Sequence, residues 1–173
     1  EWVKVSGASW RGGGFFYSRY DAPADTALAY SAGNRDQKIF YHRLGTMQEA
    51  DSLVFAEPAY PQRYQWASVT HDERWLVRSA SDPTSGKRGN TLHVLDLRAP
   101  ATGWRTLVEG FDDNASVVGS VAGGLLVRTN RGAPNWRVVR IDPADPAPPR
   151  WVDVLPEREQ ALDGTAIVAG HLF

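Results

Sequence analysis

Three kinds of short apolar segment recur in the same order along this chain of 173 residues, and this repeat constrains the fold more than any other feature. Segments of the first kind follow turns of small or polar residues and begin 60, 50 and 46 residues apart, at residues 15–17, 75–77, 125–127 and 171–173. The second and third kinds follow each of the first three, at spacings of 53 and 45 and of 53 and 46 residues. They are residues 38–44, 91–97 and 136–142 for the second kind and residues 52–57, 105–110 and 151–157 for the third. Because order and period are both preserved, we interpret these segments as equivalent parts of a structural repeat.

The composition of the segments predicts β-strands. They are rich in Val, Phe, Tyr, Trp and Leu and are bounded by Gly, Pro, Asp and Asn, which is typical of strands separated by turns. Helical periodicity is nearly absent. The best helical candidate, residues 156–161, is about one and a half turns long, and we interpret it as a loop.

A fourth, inner segment precedes the first kind in each unit, at residues 3–10, 66–70 and 116–121. Four strands in about 45 to 50 residues, repeated, are typical of a β-propeller, in which four-stranded antiparallel blades surround an axis. The sequence therefore predicts an all-β fold with about three such blades and the start of a fourth. We place the blades at roughly residues 1–57, 66–110 and 116–157, with residues 163–173 opening the next. A polar loop at residues 21–37 accounts for the longer first spacing.

Three blades are too few to close most propellers, which usually have four to eight. The chain contains one methionine, Met47, and it begins and ends within apolar runs. We therefore expect residues 1–173 to be a partial propeller domain from a longer polypeptide.

Composition excludes several classes of function. Nineteen Lys and Arg against twenty Asp and Glu leave a net charge of −1, which disfavours nucleic acid as a main partner. The absence of cysteine excludes disulfides, thiolate metal sites and cysteine nucleophiles. No apolar run approaches the roughly 20 residues of a membrane span, and no signal peptide opens the chain. We expect a soluble protein without a membrane partner, in the cytoplasm or the periplasm.

No catalytic or metal-binding motif is complete. A Gly-x-Ser-x-Gly nucleophile turn is missing, since Ser9 follows Gly7 but lacks the second glycine. His71 and Asp72 are adjacent, but nothing in the sequence places a nucleophilic hydroxyl within about 3 Å of the imidazole, as a general base requires. The four histidines fall in separate repeats without the spacing of metal ligands. We therefore expect no catalytic residue, no metal and no cofactor in this chain.

Two sequence motifs are distinctive: Tyr-His-Arg-Leu-Gly-Thr at residues 41–46 and Thr-Asn-Arg-Gly-Ala-Pro-Asn-Trp-Arg at residues 129–137. Together with residues 3–17 and 92–97, they resemble, in amino-acid sequence and in order, the propeller of the prolyl oligopeptidase (prolyl endopeptidase) family of serine peptidases. The matches run from about residue 3 to about residue 157.

The resemblance implies a seven-bladed propeller that belongs with a catalytic α/β-hydrolase domain of the same parent chain. That domain carries a Ser, Asp and His triad, lies outside residues 1–173, and cleaves short peptides after proline. The implied role of the propeller is to cover the active site and to restrict substrate access. The implied partners are the hydrolase domain and short proline-containing peptides.

The resemblance also implies that propeller side chains contribute to the subsite for a residue upstream of the scissile proline bond. Matching the motifs of this chain with those of the family places these positions at Val5, at Tyr64 and, in the loop of residues 81–86, at Thr84.

Two other functions remain open at this point. One is a stand-alone propeller that binds a protein or peptide without catalysis. The other is a propeller glycosidase, which the absence of acidic residues from the three inner segments disfavours.

Overall fold

The computed structural model describes residues 2–22 and 33–173. Within them, fourteen strands form three four-stranded antiparallel sheets and one two-stranded hairpin. Blade 1 contains β1 (Ser9–Arg11), β2 (Gly14–Arg19), β3 (Lys38–Arg43) and β4 (Ser52–Phe55). Blade 2 contains β5 (Tyr64–Val69), β6 (Trp75–Ser81), β7 (Thr91–Asp96) and β8 (Arg105–Val108). Blade 3 contains β9 (Ala115–Val121), β10 (Gly124–Thr129), β11 (Arg137–Ile141) and β12 (Val152–Leu155), and the hairpin contains β13 (Ile167–Val168) and β14 (His171–Leu172).

In each sheet the strands are adjacent in sequence order, as four-stranded meanders. One 3₁₀ turn precedes the last strand of each blade, at Gln48–Ala50, Pro100–Thr102 and Pro148–Arg150. The pairing of the third and fourth strands slips by one residue in every blade, at Ile39/Phe40, Leu92/His93 and Val138/Val139. Such bulges increase the local twist of a strand pair, and their recurrence shows that the sequence repeat is also a repeat of backbone geometry.

The structure confirms the predicted all-β fold with four-stranded antiparallel blades. Residues 156–161 form no helix. Residues 23–32 of the predicted loop lie outside the described residues. The treatment of residues 1–173 as one partial domain stays a prediction. No helix within residues 2–22 and 33–173 is long and apolar enough to cross a lipid bilayer.

The first inner strand is shorter than the predicted residues 3–10. Strand β1 begins only at Ser9, because Val5 has a φ of +52°, which interrupts an extended backbone. The preceding residues instead lie against the far end of β2. The amide of Tyr20 donates to the carbonyl oxygen of Trp2 over 3.1 Å, and the amide of Ser18 donates to Ser6 Oγ over 2.8 Å.

The main apolar core lies between blades 2 and 3. Alternate residues of their strands point into it, as the period of two in a strand requires. Its buried members are Trp75, Val77, Leu92, Val94, Leu107, Val108, Ala115, Leu125, Val127, Val139 and Ile141. The boundary between blades 1 and 2 includes more polar contacts, such as the hydrogen bond from Ser18 Oγ to the carbonyl oxygen of Gln65 over 2.6 Å.

Truncation of this core should be costly. Leu125 is fully buried, so Leu125→Ala in the full-length protein should lower the free energy of unfolding by about 2–5 kcal/mol through lost transfer energy and a residual cavity. Urea denaturation followed by tryptophan fluorescence measures the effect. The control Val121→Ala removes a side chain that is 40% exposed and should cost less than about 0.5 kcal/mol. Equal costs for the two variants would contradict the placement of the core.

Candidate functional site

The predicted substrate-facing residues lie at one end of blades 1 and 2. Strands β1 and β5 begin at this end, and their antiparallel partners β2 and β6 finish there. We call it the loop end. The opposite end carries the tight turns of the β1–β2 and β5–β6 hairpins, and we call it the hairpin end. Val5 precedes β1, Tyr64 opens β5, and Thr84 follows β6, so all three lie at the loop end.

Val5 presents its side chain to solvent, with 61% of its surface exposed. A positive φ is uncommon for a β-branched residue, so its backbone depends on local contacts. One contact is a hydrogen bond from Gln37 Nε2 to the carbonyl oxygen of Val5 over 3.4 Å. The exposed isopropyl group can contact an apolar ligand.

Tyr64 lies directly opposite Ser81 in the β5–β6 ladder. Its ring is half-buried, with its centroid 5.9 Å from the ring centroid of Trp66. An aromatic side chain held in this way presents apolar surface and a hydroxyl group to the loop end.

Thr84 lies in an exposed turn that Asp82 organises. Asp82 Oδ1 accepts hydrogen bonds from the amide of Thr84 over 2.9 Å and from its hydroxyl over 2.5 Å. This is the side-chain-to-backbone geometry that stabilises Asx turns. The Thr84 hydroxyl donates within the turn, and its methyl group remains for contact with a ligand.

Hydrogen bonds connect Val5 to Gln65, the residue that follows Tyr64, across the boundary between blades. The side chain of Gln37, which is 3% exposed, donates to the Val5 carbonyl oxygen and accepts from the amide of Gln65 over 2.8 Å. One buried amide therefore fixes the backbone of Val5 and of the residue next to Tyr64.

Beneath these residues lies an ionic cluster. Arg63 donates through Nε to Asp82 Oδ2 and through a terminal nitrogen to Glu57 Oε1, each over 3.0 Å. Gln65 Nε2 donates to Glu57 Oε2 over 3.0 Å, and a terminal nitrogen of Arg78 donates to Gln65 Oε1 over 2.9 Å. Sequence reasoning missed this cluster, because no motif links its members and their contacts exist only once the two blades meet.

The cluster adds no net charge to the loop end. Burial lowers the pKa of Arg78 to about 10, with Glu57 acting in the opposite direction, so the guanidinium remains charged at neutral pH. The hydrogen bond from Thr84 and the contact with Arg63 hold the pKa of Asp82 below its usual value. Two cations, Arg63 and Arg78, therefore balance two anions, Glu57 and Asp82, within this cluster.

A small cavity opens beside Thr84. Its volume is about 150 Å³, and its lining includes Tyr60, Pro61, Arg63 and Asp82. The guanidinium carbon of Arg63 lies 3.5 Å from the ring centroid of Tyr60, a cation–π contact that fixes the plane of the guanidinium. The cavity provides space for part of a side chain at the loop end.

A second cluster lies on the face of blade 1 that points away from blade 2. Asp51 accepts from the hydroxyl of Tyr17 over 2.5 Å and lies 2.7 Å from His42 Nδ1. The cavity beside it has a volume of about 350 Å³ and includes Ser6, whose hydroxyl donates to the carbonyl oxygen of Gly7 over 2.8 Å. The Ser6 hydroxyl is therefore directed to backbone rather than to the imidazole of His42. In the part of the chain that the structure describes, no three His, Asp or Glu side chains are grouped to hold a metal ion.

Comparison with known proteins decides the family. The family described as "Prolyl oligopeptidase, N-terminal beta-propeller domain" matches residues 1–173. The chain belongs to this prolyl oligopeptidase family. This match confirms the resemblance based on the two distinctive motifs, and it confirms the predicted propeller fold.

Similar proteins include several prolyl peptidases. The chain is 38% identical to a prolyl endopeptidase of Elizabethkingia miricola over 162 residues, which cover 92% of this chain and 22% of that protein. It is 33% identical to prolyl oligopeptidase A of Amanita bisporigera over 150 residues, which cover 82% of this chain and 19% of that protein. The chain thus spans about a fifth of the length of these curated relatives.

Solved structures agree with this assignment. One prolyl endopeptidase, from a study of inter-domain dynamics in catalysis and specificity, superposes with a TM-score of 0.84 at 34% identity. That match covers 100% of this chain and 24% of the other. Prolyl oligopeptidase B of Galerina marginata, bound to a 35mer hydrolysis and macrocyclization substrate, superposes with a TM-score of 0.82 at 25% identity. That match covers 96% of this chain and 23% of the other chain. The roles of Val5, Tyr64 and Thr84 stay predictions.

The same ionic cluster affects His93, which is opposite Arg78 in the β6–β7 ladder. Its ring nitrogens lie 3.1 Å from Thr91 Oγ1 and 3.2 Å from Thr106 Oγ1. Burial, reinforced by Arg78 and Arg63, lowers the pKa of His93 to about 4. His93 is therefore neutral at neutral pH, which preserves the charge balance of the cluster.

This depressed pKa predicts a pH-dependent stability. The unfolded chain binds a proton at His93 near pH 6.5, whereas the folded chain does so only near pH 4, so stability decreases as the pH falls through this window. Between pH 7.5 and 5, His93 should remove at most about 2 kcal/mol from the free energy of unfolding. His93→Gln in the full-length protein, measured by urea denaturation at both pH values, should abolish this component. The same pH dependence in wild type and variant would show that His93 is not its source.

Proposed function

We propose that this chain is the propeller segment of a serine-type prolyl endopeptidase that hydrolyses short peptides on the carboxyl side of proline, and that the propeller controls substrate access. The observation that supports this most is the family match along all 173 residues, together with the superposition on a prolyl endopeptidase. In this proposal the chemistry belongs to an α/β-hydrolase domain of the same polypeptide. A Ser, His and Asp triad there forms and hydrolyses an acyl-enzyme.

The role of the propeller in this proposal is steric. Each blade is a hydrogen-bonded sheet, and neighbouring blades pack through a buried core, so the segment is stiff apart from its loops. A stiff wall over an active site excludes folded proteins and admits flexible peptides through an opening or by domain motion. The loop end, with Val5, Tyr64 and Thr84, faces the hydrolase domain and the peptide.

The chemistry of the loop end suggests which peptide residue it contacts. Val5 offers an exposed aliphatic group, Tyr64 an aromatic ring and Thr84 a methyl group. The ionic cluster beneath them is balanced. We therefore infer that these residues favour an apolar, uncharged residue upstream of the scissile proline bond.

The function is tested with the full-length protein and a fluorogenic peptide that contains one proline. Cleavage after proline by the full-length protein, and none by residues 1–173 alone, is the expected result. A folded protein with a surface proline should remain intact under the same conditions, whereas a short peptide with the sequence around that proline should be cleaved. No cleavage by the full-length protein would overturn the peptidase assignment and favour a propeller that binds peptides without catalysis.

Variants at the loop end test substrate contact. Val5→Gly removes the side chain but tolerates the positive φ, because glycine adopts this conformation readily. Together with Tyr64→Ala, it should raise KM for a peptide with an apolar upstream residue about fivefold to tenfold, with kcat unchanged. KM for a peptide that stops short of that residue should not change.

Steady-state kinetics with the two peptides measure this difference. Leu44→Ala provides the control, since Leu44 is 55% exposed and follows β3 at the hairpin end. If the loop-end variants leave the preference for the upstream residue unchanged, Val5 and Tyr64 do not contact it.

A further inference from the structure

One continuous series of hydrogen bonds joins Val5 to Thr84 and passes through Gln65, the residue that follows Tyr64. Gln37 bridges the Val5 carbonyl oxygen and the Gln65 amide, and the Gln65 side chain donates to Glu57. Arg63 then links Glu57 to Asp82, and Asp82 holds Thr84. The series therefore extends from the segment before β1 to the loop after β6.

Arg63 is the cation in this series that contacts both Glu57 and Asp82, and it joins two separate parts of the chain. Glu57 follows the last strand of blade 1, whereas Asp82 follows the second strand of blade 2. Arg63 reaches both carboxylates over 3.0 Å from different nitrogens, and its side chain is only 15% exposed. Charge-assisted hydrogen bonds at such a site are short, directional and poorly screened by solvent.

The orientation of the guanidinium is fixed by two aromatic rings. Its central carbon lies 3.5 Å from the ring centroid of Tyr60 and 4.9 Å from that of Phe111. Tyr60 lies before β5 and Phe111 lies after β8, so the rings hold Arg63 from two parts of the loop end. A lysine keeps the charge but lacks the planar, forked donor geometry that reaches two acceptors at once.

We propose that Arg63 is a specificity-positioning residue: it fixes the loop of Thr84 relative to Val5 and Tyr64, so that the three form one subsite. This inference rests on the proposed function. Arg63 acts through Glu57 and Asp82 and needs no contact with the substrate. Its loss should therefore weaken binding of peptides that reach the loop end and should leave the chemical step unaffected.

The test uses Arg63→Lys in the full-length protein with two proline peptides, one with an apolar upstream residue and one truncated before it. KM for the longer peptide should rise about fivefold and kcat should not change. Both constants for the truncated peptide should remain within about twofold of wild type. A residue that only stabilised the fold would alter both peptides equally.

The matched control is Arg74→Lys. Arg74, like Arg63, forms charge-assisted hydrogen bonds through two nitrogens, here both to Asp96 Oδ2 over 3.1 and 2.9 Å, and its guanidinium lies over an aromatic ring, that of Trp75. It lies in the β5–β6 turn at the hairpin end, so its replacement should change neither peptide's KM.

Asp82→Asn provides a second variant, which also serves if Arg63→Lys does not fold. It retains an oxygen for Thr84 but removes the negative charge that binds Arg63, so it should produce the same selective rise in KM. The double variant should raise KM for the longer peptide no further than the more affected single variant does, because both substitutions act on the same contact between Arg63 and Asp82.

The outcomes separate this inference from the function on which it rests. If the wild-type protein cleaves neither peptide, the proposed function fails and the role of Arg63 fails with it. If the wild type cleaves both peptides but Arg63→Lys changes them equally or not at all, only the positioning role is overturned.

Discussion

Strand β6 of the middle blade is buried on both faces, and the rest of the structure depends on this packing. Trp75 and Val77 point into the core shared with blade 3, whereas Arg78 lies 3.9 Å from the ring centroid of Phe55 in blade 1. Leu76 has no exposed surface. A single four-stranded sheet cannot bury both of its faces, so each blade requires neighbours, and stability accumulates along the repeat.

The boundary between blades 1 and 2 contains two buried glutamine side chains, and these position the backbone of the loop end. Between blades 2 and 3, apolar side chains such as Leu125 and Val139 pack closely, and one amide, that of Asn90, donates to and accepts from the backbone of Ala115, each over 2.9 Å. Between blades 1 and 2, Gln37 and Gln65 are buried with their amides hydrogen-bonded. Hydrogen bonds are directional, so a polar boundary defines relative positions more strictly than an apolar one. The predicted substrate-facing residues lie on this polar boundary.

Much of the fold could be predicted from the sequence, because strand periodicity and turn residues are local signals. Residues 38–44 and 91–97 alternate visibly, and the structure has strands over Lys38–Arg43 and Thr91–Asp96. The late start of β1 was missed, since nothing local indicates the positive φ of Val5. The ionic cluster was missed for a different reason. Gln37 and Gln65 are 28 positions apart in the sequence, and only the meeting of two blades brings them together. The hydrogen bond from Thr84 to Asp82 joins residues two positions apart and is a local contact. The contact between Arg63 and Asp82 joins residues 19 positions apart and could not be predicted from it.

The orientation of the propeller is the most direct test of this account. A crystal structure of the full-length protein with a proline-containing peptide bound would show which end of the blades faces the catalytic domain. The account predicts that the loop end does so, with the ring of Tyr64 within about 4.5 Å of the residue upstream of proline. A structure in which the hairpin end, with Arg74 and its neighbours, faces the catalytic domain would contradict it.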